Sequence, residues 1–166
     1  FIERMTVGAL HAFNPIVEDW IIDFYNAVSS ETQARWAREL RVKLSQLDPQ
    51  FTKEVWGTWL ETYFDWRTRN KPVLLSKDEH LELFHMTCYL GEVFPEAVEY
   101  LLRKDPISLS GTGYLRIIRD YAPISRHPDS AYDLLQHIIE GWDGGAQLLG
   151  INANKIIKGL IASTNN

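Results

Sequence analysis

The sequence predicts an all-α protein of about eight or nine helices. Apolar residues recur at spacings of three and four, as on one face of a helix, and capping residues precede several of these segments. No segment alternates apolar and polar residues over the length of a strand with turn signals at both ends. Because the predicted loops are short, we expect antiparallel helix pairs, in an irregular bundle or a short stack of HEAT-like helical repeats.

Length and composition predict one helical domain over residues 1–166. A chain of 166 residues with 45% apolar content buries enough surface to fold without a disulfide or a structural metal. The chain begins at Phe1, and its first residues lack the pattern of a signal peptide. We therefore expect the domain to be a fragment of a larger protein.

The first two predicted helices begin at capping signals. Asn14 precedes Pro15, which suits the first position of a helix. Ser30 and Gln33 have the spacing of a capping box at the start of the second helix. The predicted inner faces consist of Val17, Trp20, Ile21, Phe24, Tyr25 and Val28 in the first helix and of Trp36, Leu40, Leu44 and Leu47 in the second.

An aromatic helix and a central helix follow. Asp48 and Pro49 open the aromatic helix, and a loop is expected over residues 68–75. The aromatic helix is predicted to bury one broad face, formed by Phe51, Val55, Trp56, Trp59, Tyr63 and Trp66. Ser76 and Glu79 form a second capping box. Because the apolar residues after Glu79 spread widely around the helical wheel, we expect this helix to be central and mostly buried.

Glycine and proline divide the last third of the chain into further helices. Gly91 ends the central helix, Pro95 opens another, and residues 105–113 form a connector before a short helix over residues 114–121. Asp129 or Ser130 is expected to cap the next helix. Its predicted inner face consists of Ala131, Leu134, Leu135, Ile138, Ile139 and Trp142. After Gly144 and Gly145, a last helix over residues 152–162 is predicted to use Ile156, Ile157, Leu160 and Ile161 as its apolar residues.

Charge and cysteine content narrow the classes of function. The formal net charge of −5 argues against binding to nucleic-acid phosphates as the main activity. Cys88 is the only cysteine, which excludes an intramolecular disulfide and favours a reducing compartment, so we expect a cytoplasmic protein. No apolar run reaches the length of a membrane span.

The residues most capable of chemistry lie on the predicted central helix. His85 and Cys88 are three residues apart and could share a face, with His80 nearby. A zinc site needs further ligands, and the sequence has neither a second cysteine nor a His-Glu-x-x-His motif. Cysteine is also among the most buried residue types. We therefore interpret Cys88 as a core residue and predict no catalytic, cofactor-binding or metal-binding residues and no cofactor.

Two arginine pairs are the candidate interaction residues. Arg67 and Arg69 follow Trp66 at the predicted end of the aromatic helix, and Arg116 and Arg119 lie three residues apart on the short helix before Tyr121. Arginine beside aromatic residues is enriched at protein interfaces and on base-stacking surfaces. Arginine near a helix C-terminus also complements the helix dipole without any partner.

The middle of the chain, about residues 50–140, carries an ordered set of packing and turn residues. They are Trp56, Trp59, Leu60, Tyr63, Arg67, Pro72, Leu74, Leu75, Glu79, Leu90, Phe94, Pro95, Glu96, Ala97, Val98, Pro106, Leu109, Leu115, His127, Pro128, Leu134 and Leu135. In their order and spacing they resemble a bacterial domain family of unknown function, and the chain departs from the family pattern at Asn70 and at Met86-Thr87-Cys88. This family lies at the C-terminal end of much larger proteins, some of which carry an N-terminal sirtuin-like domain.

The resemblance implies a biological context. Large proteins that join a sirtuin-like domain to a helical C-terminal region are associated with bacterial immunity to phage. In them the enzymatic domain degrades NAD, and the helical part is thought to sense or to scaffold. This chain has no glycine motif for NAD, so such chemistry would lie in another domain.

Three hypotheses of function follow. The first is a non-enzymatic helical domain that binds another protein, or another domain of its parent chain, and so regulates or positions a separate effector. The second is a nucleic-acid-binding helical domain that uses the same arginines, with binding that weakens steeply as salt is raised. The third is a small enzyme that uses His85, Cys88 or His127 in a pocket. The sequence does not indicate an oligomeric state.

Overall fold

The computed structural model describes residues 25–57, 61, 76–104, 112–141 and 146–164. Within these ranges the chain is all-helical, with packed helix pairs and no strand, which confirms the predicted fold class. The elements are α1 (Ser30–Leu44), α2 (Pro49–Val55), α3 (Lys77–Thr87), a 3-10 helix (Gly91–Val93), α4 (Phe94–Lys104), α5 (Thr112–Tyr121), α6 (Pro128–Glu140) and α7 (Ala146–Thr164).

The chain groups into two compact units. The first unit ends at Met86 and the second begins at Thr87. The single domain expected from the sequence stays a prediction. Most of the helix predicted from Asn14 lies outside the described residues, which begin with a helical stretch at residues 25–27.

Helix α1 begins one residue earlier than its predicted capping box. Ser29 occupies the N-cap position, and its Oγ accepts a hydrogen bond from the backbone N–H of Thr32 at 3.3 Å. The prediction of Ser30 as the cap is therefore wrong. The side chain of Gln33 is buried and donates through Nε2 to the carbonyl oxygen of Tyr25 at 2.8 Å. This contact fixes the segment before α1 to its first turn.

The core of the first unit contains the apolar stripe predicted for α1. Trp36, Leu40 and Leu44 are all buried. The rings of Tyr25 and Trp36 meet edge to face, with centroids 5.2 Å apart and an interplanar angle of 64°. Phe51 departs from the prediction, because its side chain is 48% exposed. The buried positions are Thr52 and Val55 in the short helix α2 and Trp56 directly after it, which leave Phe51 at the margin of the inner face. Trp59, Tyr63 and Trp66 lie outside the described residues.

Helix α3 is mostly buried, as the sequence predicted. Ser76 Oγ accepts a hydrogen bond from the backbone N–H of Glu79 at 3.1 Å, which confirms the start of this helix. The Glu79 side chain is buried, and its Oε1 accepts a hydrogen bond at 3.0 Å from the Tyr25 hydroxyl. The other buried residues of α3 are His80, Glu82, Leu83, Phe84, Met86 and Thr87.

In the second unit, α5, α6 and α7 pack against one another and α4 packs against α6. Gly91 has a φ of 55°, a left-handed conformation that favours glycine, and it begins the 3-10 helix. The sequence predicted that the central helix ends at Gly91, but α3 already ends at Thr87. Helix α6 begins at Pro128 with His127 at the N-cap position. The predicted caps Asp129 and Ser130 are therefore wrong, because Pro128 takes the first helical position.

The last helix is longer than predicted. It runs over Ala146–Thr164, where the sequence predicted residues 152–162. Gly150 and Gly159 lie inside it without ending it, since packing against α5 and α6 outweighs their low helix propensity. None of the described helices is both long and apolar enough to cross a membrane.

Candidate interaction surface

Of the four predicted interaction residues, two can be placed in the structure. Arg67 and Arg69 lie outside the described residues. Arg116 is exposed on α5. Arg119 is one turn further along, half-buried, and its Nη1 donates to Asn152 Oδ1 of α7 at 3.0 Å. This hydrogen bond joins α5 to α7 within the second unit.

Arg119 also forms a bidentate ion pair with its chain neighbour. Its Nε and Nη2 donate to Asp120 Oδ1 and Oδ2, each at 2.6 Å. These hydrogen bonds, with the positive charges of Arg119, Arg116 and Lys155, hold the pKa of the Asp120 carboxyl below its usual value. The negative charge of Asp120 offsets the positive charge of Arg119. The cations that this surface presents to a partner are therefore Arg116 and Lys155.

Cys88 is a core residue, as predicted. Its side chain is buried, and burial raises the pKa of the thiol to about 12, an effect that a hydrogen bond with Thr87 partly opposes. Only the thiolate is a nucleophile or a metal ligand, and at neutral pH this thiol stays protonated. Among the described residues, no three His, Cys, Asp or Glu side chains lie close enough together to hold a metal ion.

Cys88 is expected to react very slowly in the folded protein. At pH 8 a pKa of about 12 leaves about one ten-thousandth of the thiol ionised, whereas an unfolded cysteine is roughly a quarter ionised. We expect Ellman's reagent to label the native chain at least about a thousandfold more slowly than the chain in guanidinium. Because Cys88 is the only cysteine, the absorbance reports this site alone. Labelling at the same rate in both states would contradict the buried position.

His85 lies in the first unit, beside the charged contact that joins α1 to α3. Glu82 of α3 accepts from Arg38 Nε at 3.0 Å and from Arg41 Nε at 2.6 Å. Burial and the positive charge of Arg41 lower the pKa of His85 to about 4, against a smaller opposite effect of Glu82. His85 is therefore neutral at physiological pH.

This lowered pKa predicts a loss of stability in acid. Between about pH 6.5 and 4 the unfolded chain binds a proton at His85 that the folded chain does not, so the free energy of unfolding falls as the pH drops through this window and levels off below it. Because His85 is only half-buried and solvent screens it, we expect a loss of about 1–2 kcal/mol. Urea denaturation of the natural chain and of His85→Gln at several pH values measures the difference, since carboxyl titrations are common to both. Parallel pH profiles would contradict this expectation.

The largest cavity described lies in the first unit and has balanced charge. It has a volume of about 550 Å³ and lies beside the first turns of α1 and α3. Glu31 and Asp78 line it together with Arg35 and Arg38. Two acids and two arginines favour neither an anion nor a cation, so this cavity indicates no class of ligand.

A groove between α6 and α7 exposes large apolar side chains, and sequence reasoning did not find it. Its volume is about 200 Å³, and its lining residues are Pro128, Asp129, Tyr132, Leu160 and Ile161. Tyr132 is 54% exposed and Ile161 is 57% exposed. We call this feature, with the neighbouring exposed side chains of Ile139 and Ile157, the α6–α7 groove.

The sequence predicted Ile139 on the inner face of its helix, and the structure shows this prediction to be wrong, because the side chain is 40% exposed. Ile157 and Ile161, predicted only as apolar residues of the last helix, are exposed as well. In α7 the buried stripe consists of Ala153, Ile156 and Leu160. Ile157 and Ile161 each follow a stripe residue by one position, which turns them about 100° away around the helix. One feature of the sequence indicates such exposed residues, because α7 has more large apolar residues than one buried stripe accommodates.

Fold and surface together define an all-helical protein with an exposed apolar groove. A family model described as a domain of unknown function, DUF4020, matches residues 14–113, more than half of the 166 residues. The chain belongs to this family. No curated protein and no solved structure matches the chain significantly.

The matched segment corrects the extent of the resemblance found in the sequence. The match begins at residue 14 and ends at residue 113, whereas the resemblance was placed at about residues 50–140. Leu115, His127, Pro128, Leu134 and Leu135 therefore lie beyond the matched segment. So do α6 and α7 with the groove between them.

Proposed function

We propose that this chain is a non-enzymatic helical domain that binds another protein, or another segment of its parent polypeptide, and thereby positions or regulates a separate effector. The observation that carries the proposal is the α6–α7 groove. Of the eight large apolar side chains exposed among the described residues, four lie in the α6–α7 groove as defined above. Scattered exposed apolar residues are ordinary, but a concentration of them marks interaction sites.

The size of the groove supports a protein partner over a small molecule. Ligand pockets for small molecules typically enclose about 300–1,000 Å³, whereas this groove holds about 200 Å³. A volume of this size suits one or two anchoring side chains of a protein partner.

The effector that we propose is a sirtuin-like, NAD-degrading domain of the parent protein, acting in the cytoplasm during bacterial defence against phage. The support for this context is the resemblance described above. Arg67, Arg69 and Arg116 remain candidate interaction residues in this proposal, because arginine is enriched at protein interfaces. Arg119 would act indirectly, because it holds α5 against α7.

Paired substitutions on α7 test this function. Ile161→Asp places a charge in the groove, and Ile151→Asp makes the same change at a residue 64% exposed, ten positions earlier on the same helix. The rest of the parent protein, expressed separately, is immobilised and titrated with each variant in biolayer interferometry. We expect Ile161→Asp to weaken binding by at least about tenfold and Ile151→Asp to leave it unchanged.

Thermal unfolding provides the control for this test. Both isoleucines are exposed, so neither variant is expected to lower the melting temperature appreciably. Equal binding by both variants, or a loss of binding that only follows a loss of stability, would overturn the proposal for this surface.

A further inference from the structure

We propose that the α6–α7 groove binds an amphipathic helix that carries basic residues beside its apolar stripe. This inference rests on the proposed function and names the class of partner. The groove is formed by two helices, and its exposed apolar residues lie at helical spacings, Ile157 and Ile161 four apart and Tyr132 and Ile139 seven apart. These spacings place the apolar residues of each helix on one exposed face, and such a face can receive the apolar stripe of a helix laid along the groove.

The backbone of this region favours a helical partner over an extended one. A peptide that binds as a strand obtains its affinity from main-chain hydrogen bonds to an open sheet edge. Both walls of the groove are helices, and the described part of the chain contains no strand. Affinity must therefore come from side chains, and an amphipathic helix presents its apolar side chains on one face.

The charge of the rim selects a basic partner. Asp129 lines the groove next to Tyr132, and the exposed carboxylates of Asp133 and Glu140 continue along the outer side of α6. Glu140 accepts a hydrogen bond from Gln136, which leaves its negative charge in place. On the opposite wall Lys158 is exposed three residues before Ile161, so the rim carries more negative than positive charge.

Asp133 also borders a second groove, between α6 and α4, which it lines together with Glu99 and Arg103 of α4. Arg103 Nη1 lies 3.3 Å from Glu99 Oε1, so these two charges offset each other. Asp133 therefore remains available to a cation from the partner.

The carboxylates of α6 disfavour two other occupants of the groove, a nucleic acid and a second copy of this chain. Nucleic-acid phosphates would meet the carboxylates of α6. A second copy of this chain carries a net charge of −5 and would present its own acidic rim. A basic helix gains attraction from both the rim and the overall charge, and that attraction raises its rate of association.

Synthetic peptides of known chemistry test the inference with the 166-residue chain. The first peptide is a helix of about five turns with leucine at positions i, i+4 and i+7 and lysine on both flanks of that stripe. The second replaces the lysines with glutamates, and the third keeps the lysines but scrambles the leucines. Fluorescence anisotropy of the labelled peptides gives each Kd at low and at physiological salt.

The expected result has three parts. The lysine peptide binds at least about tenfold more tightly than either other peptide, and its Kd rises several-fold between low and physiological salt. Ile161→Asp weakens its binding by about tenfold or more, whereas Ile151→Asp does not. Asp129→Lys combined with Asp133→Lys reverses the preference, so that the glutamate peptide binds better. Circular dichroism verifies that each variant is folded.

Other outcomes overturn the inference. Equal binding of the lysine and glutamate peptides would show that the acidic side chains do not select the partner. Lysine-peptide binding that Ile161→Asp does not weaken would show that the peptide binds outside the groove. A dimer of the natural chain in analytical ultracentrifugation that Ile161→Asp dissociates would assign the groove to a second copy. If the parent protein binds through Ile161 while the lysine peptide does not bind, the proposed function stands and the partner class is wrong.

Discussion

Replacing Trp36 with alanine is expected to lower the free energy of unfolding by about 3–5 kcal/mol. The indole is 1% exposed, packs edge to face against Tyr25, and lies on the same stripe as Leu40 and Leu44. Removing it takes away the transfer free energy of a large apolar group and leaves a cavity that the surrounding helices fill only in part. Urea denaturation followed by far-UV circular dichroism measures the change.

Phe51→Ala is the matched control for this prediction. Phe51 is a large aromatic residue of the same unit and is 48% exposed, so its removal is expected to cost less than about 1 kcal/mol. Where Trp36→Ala fails to fold, Trp36→Phe supplies a measurable intermediate, because it keeps an aromatic ring in the site. Equal stability losses for Trp36→Ala and Phe51→Ala would contradict the packing described for the first unit.

Replacing Glu82 with alanine is expected to have the second-largest effect, a loss of about 2–4 kcal/mol. Glu82 is only 8% exposed and binds both Arg38 and Arg41 across the α1–α3 contact. Its removal leaves the partly buried guanidinium of Arg41 without that carboxylate, and an uncompensated charge is costly. The expected loss of stability is smaller than for a fully buried ion pair, because the Arg38 side chain is 68% exposed.

A double-mutant cycle separates the ion pair from the general effects of truncation. Glu82→Ala and Arg41→Ala are expected to be non-additive, with a coupling energy of about 1–3 kcal/mol. Glu99→Ala is the matched control, because Glu99 pairs with Arg103 on an exposed face and should contribute less than about 1 kcal/mol. A coupling energy near zero for Glu82 and Arg41 would show that the contact does not stabilise the fold.

Much of the fold could be predicted from the sequence because helical periodicity and capping are local. The stripe of Trp36, Leu40 and Leu44 is buried as predicted, and the N–H of Glu79 meets Ser76 Oγ as its capping box required. The errors at Ser30 and at Asp129 are shifts of one or two residues along the chain. In each case a neighbouring residue occupies the N-cap position, Ser29 in α1 and His127 in α6.

The groove could not be predicted, because exposure depends on how neighbouring helices pack. Ile157 and Ile161 fit an apolar stripe in sequence, and only the placement of α6 and α5 against α7 decides that Ala153, Ile156 and Leu160 form the buried face instead. Arg119 illustrates the same limit. Its spacing from Arg116 predicted a surface pair, but the hydrogen bond to Asn152 connects positions 33 residues apart. Contacts at such separations leave no periodic signal.

The most direct test of the proposed function is NAD consumption by the proposed parent protein with and without this domain. Three samples are compared, with and without phage infection or lysate as the trigger: the full-length parent protein, the parent lacking residues 1–166, and the 166-residue chain alone. We expect that the chain alone consumes no NAD. We also expect that the parent lacking residues 1–166 keeps its basal NAD consumption but no longer responds to the trigger. NAD consumption by the chain alone, or an unchanged response after the deletion, would contradict the proposed function.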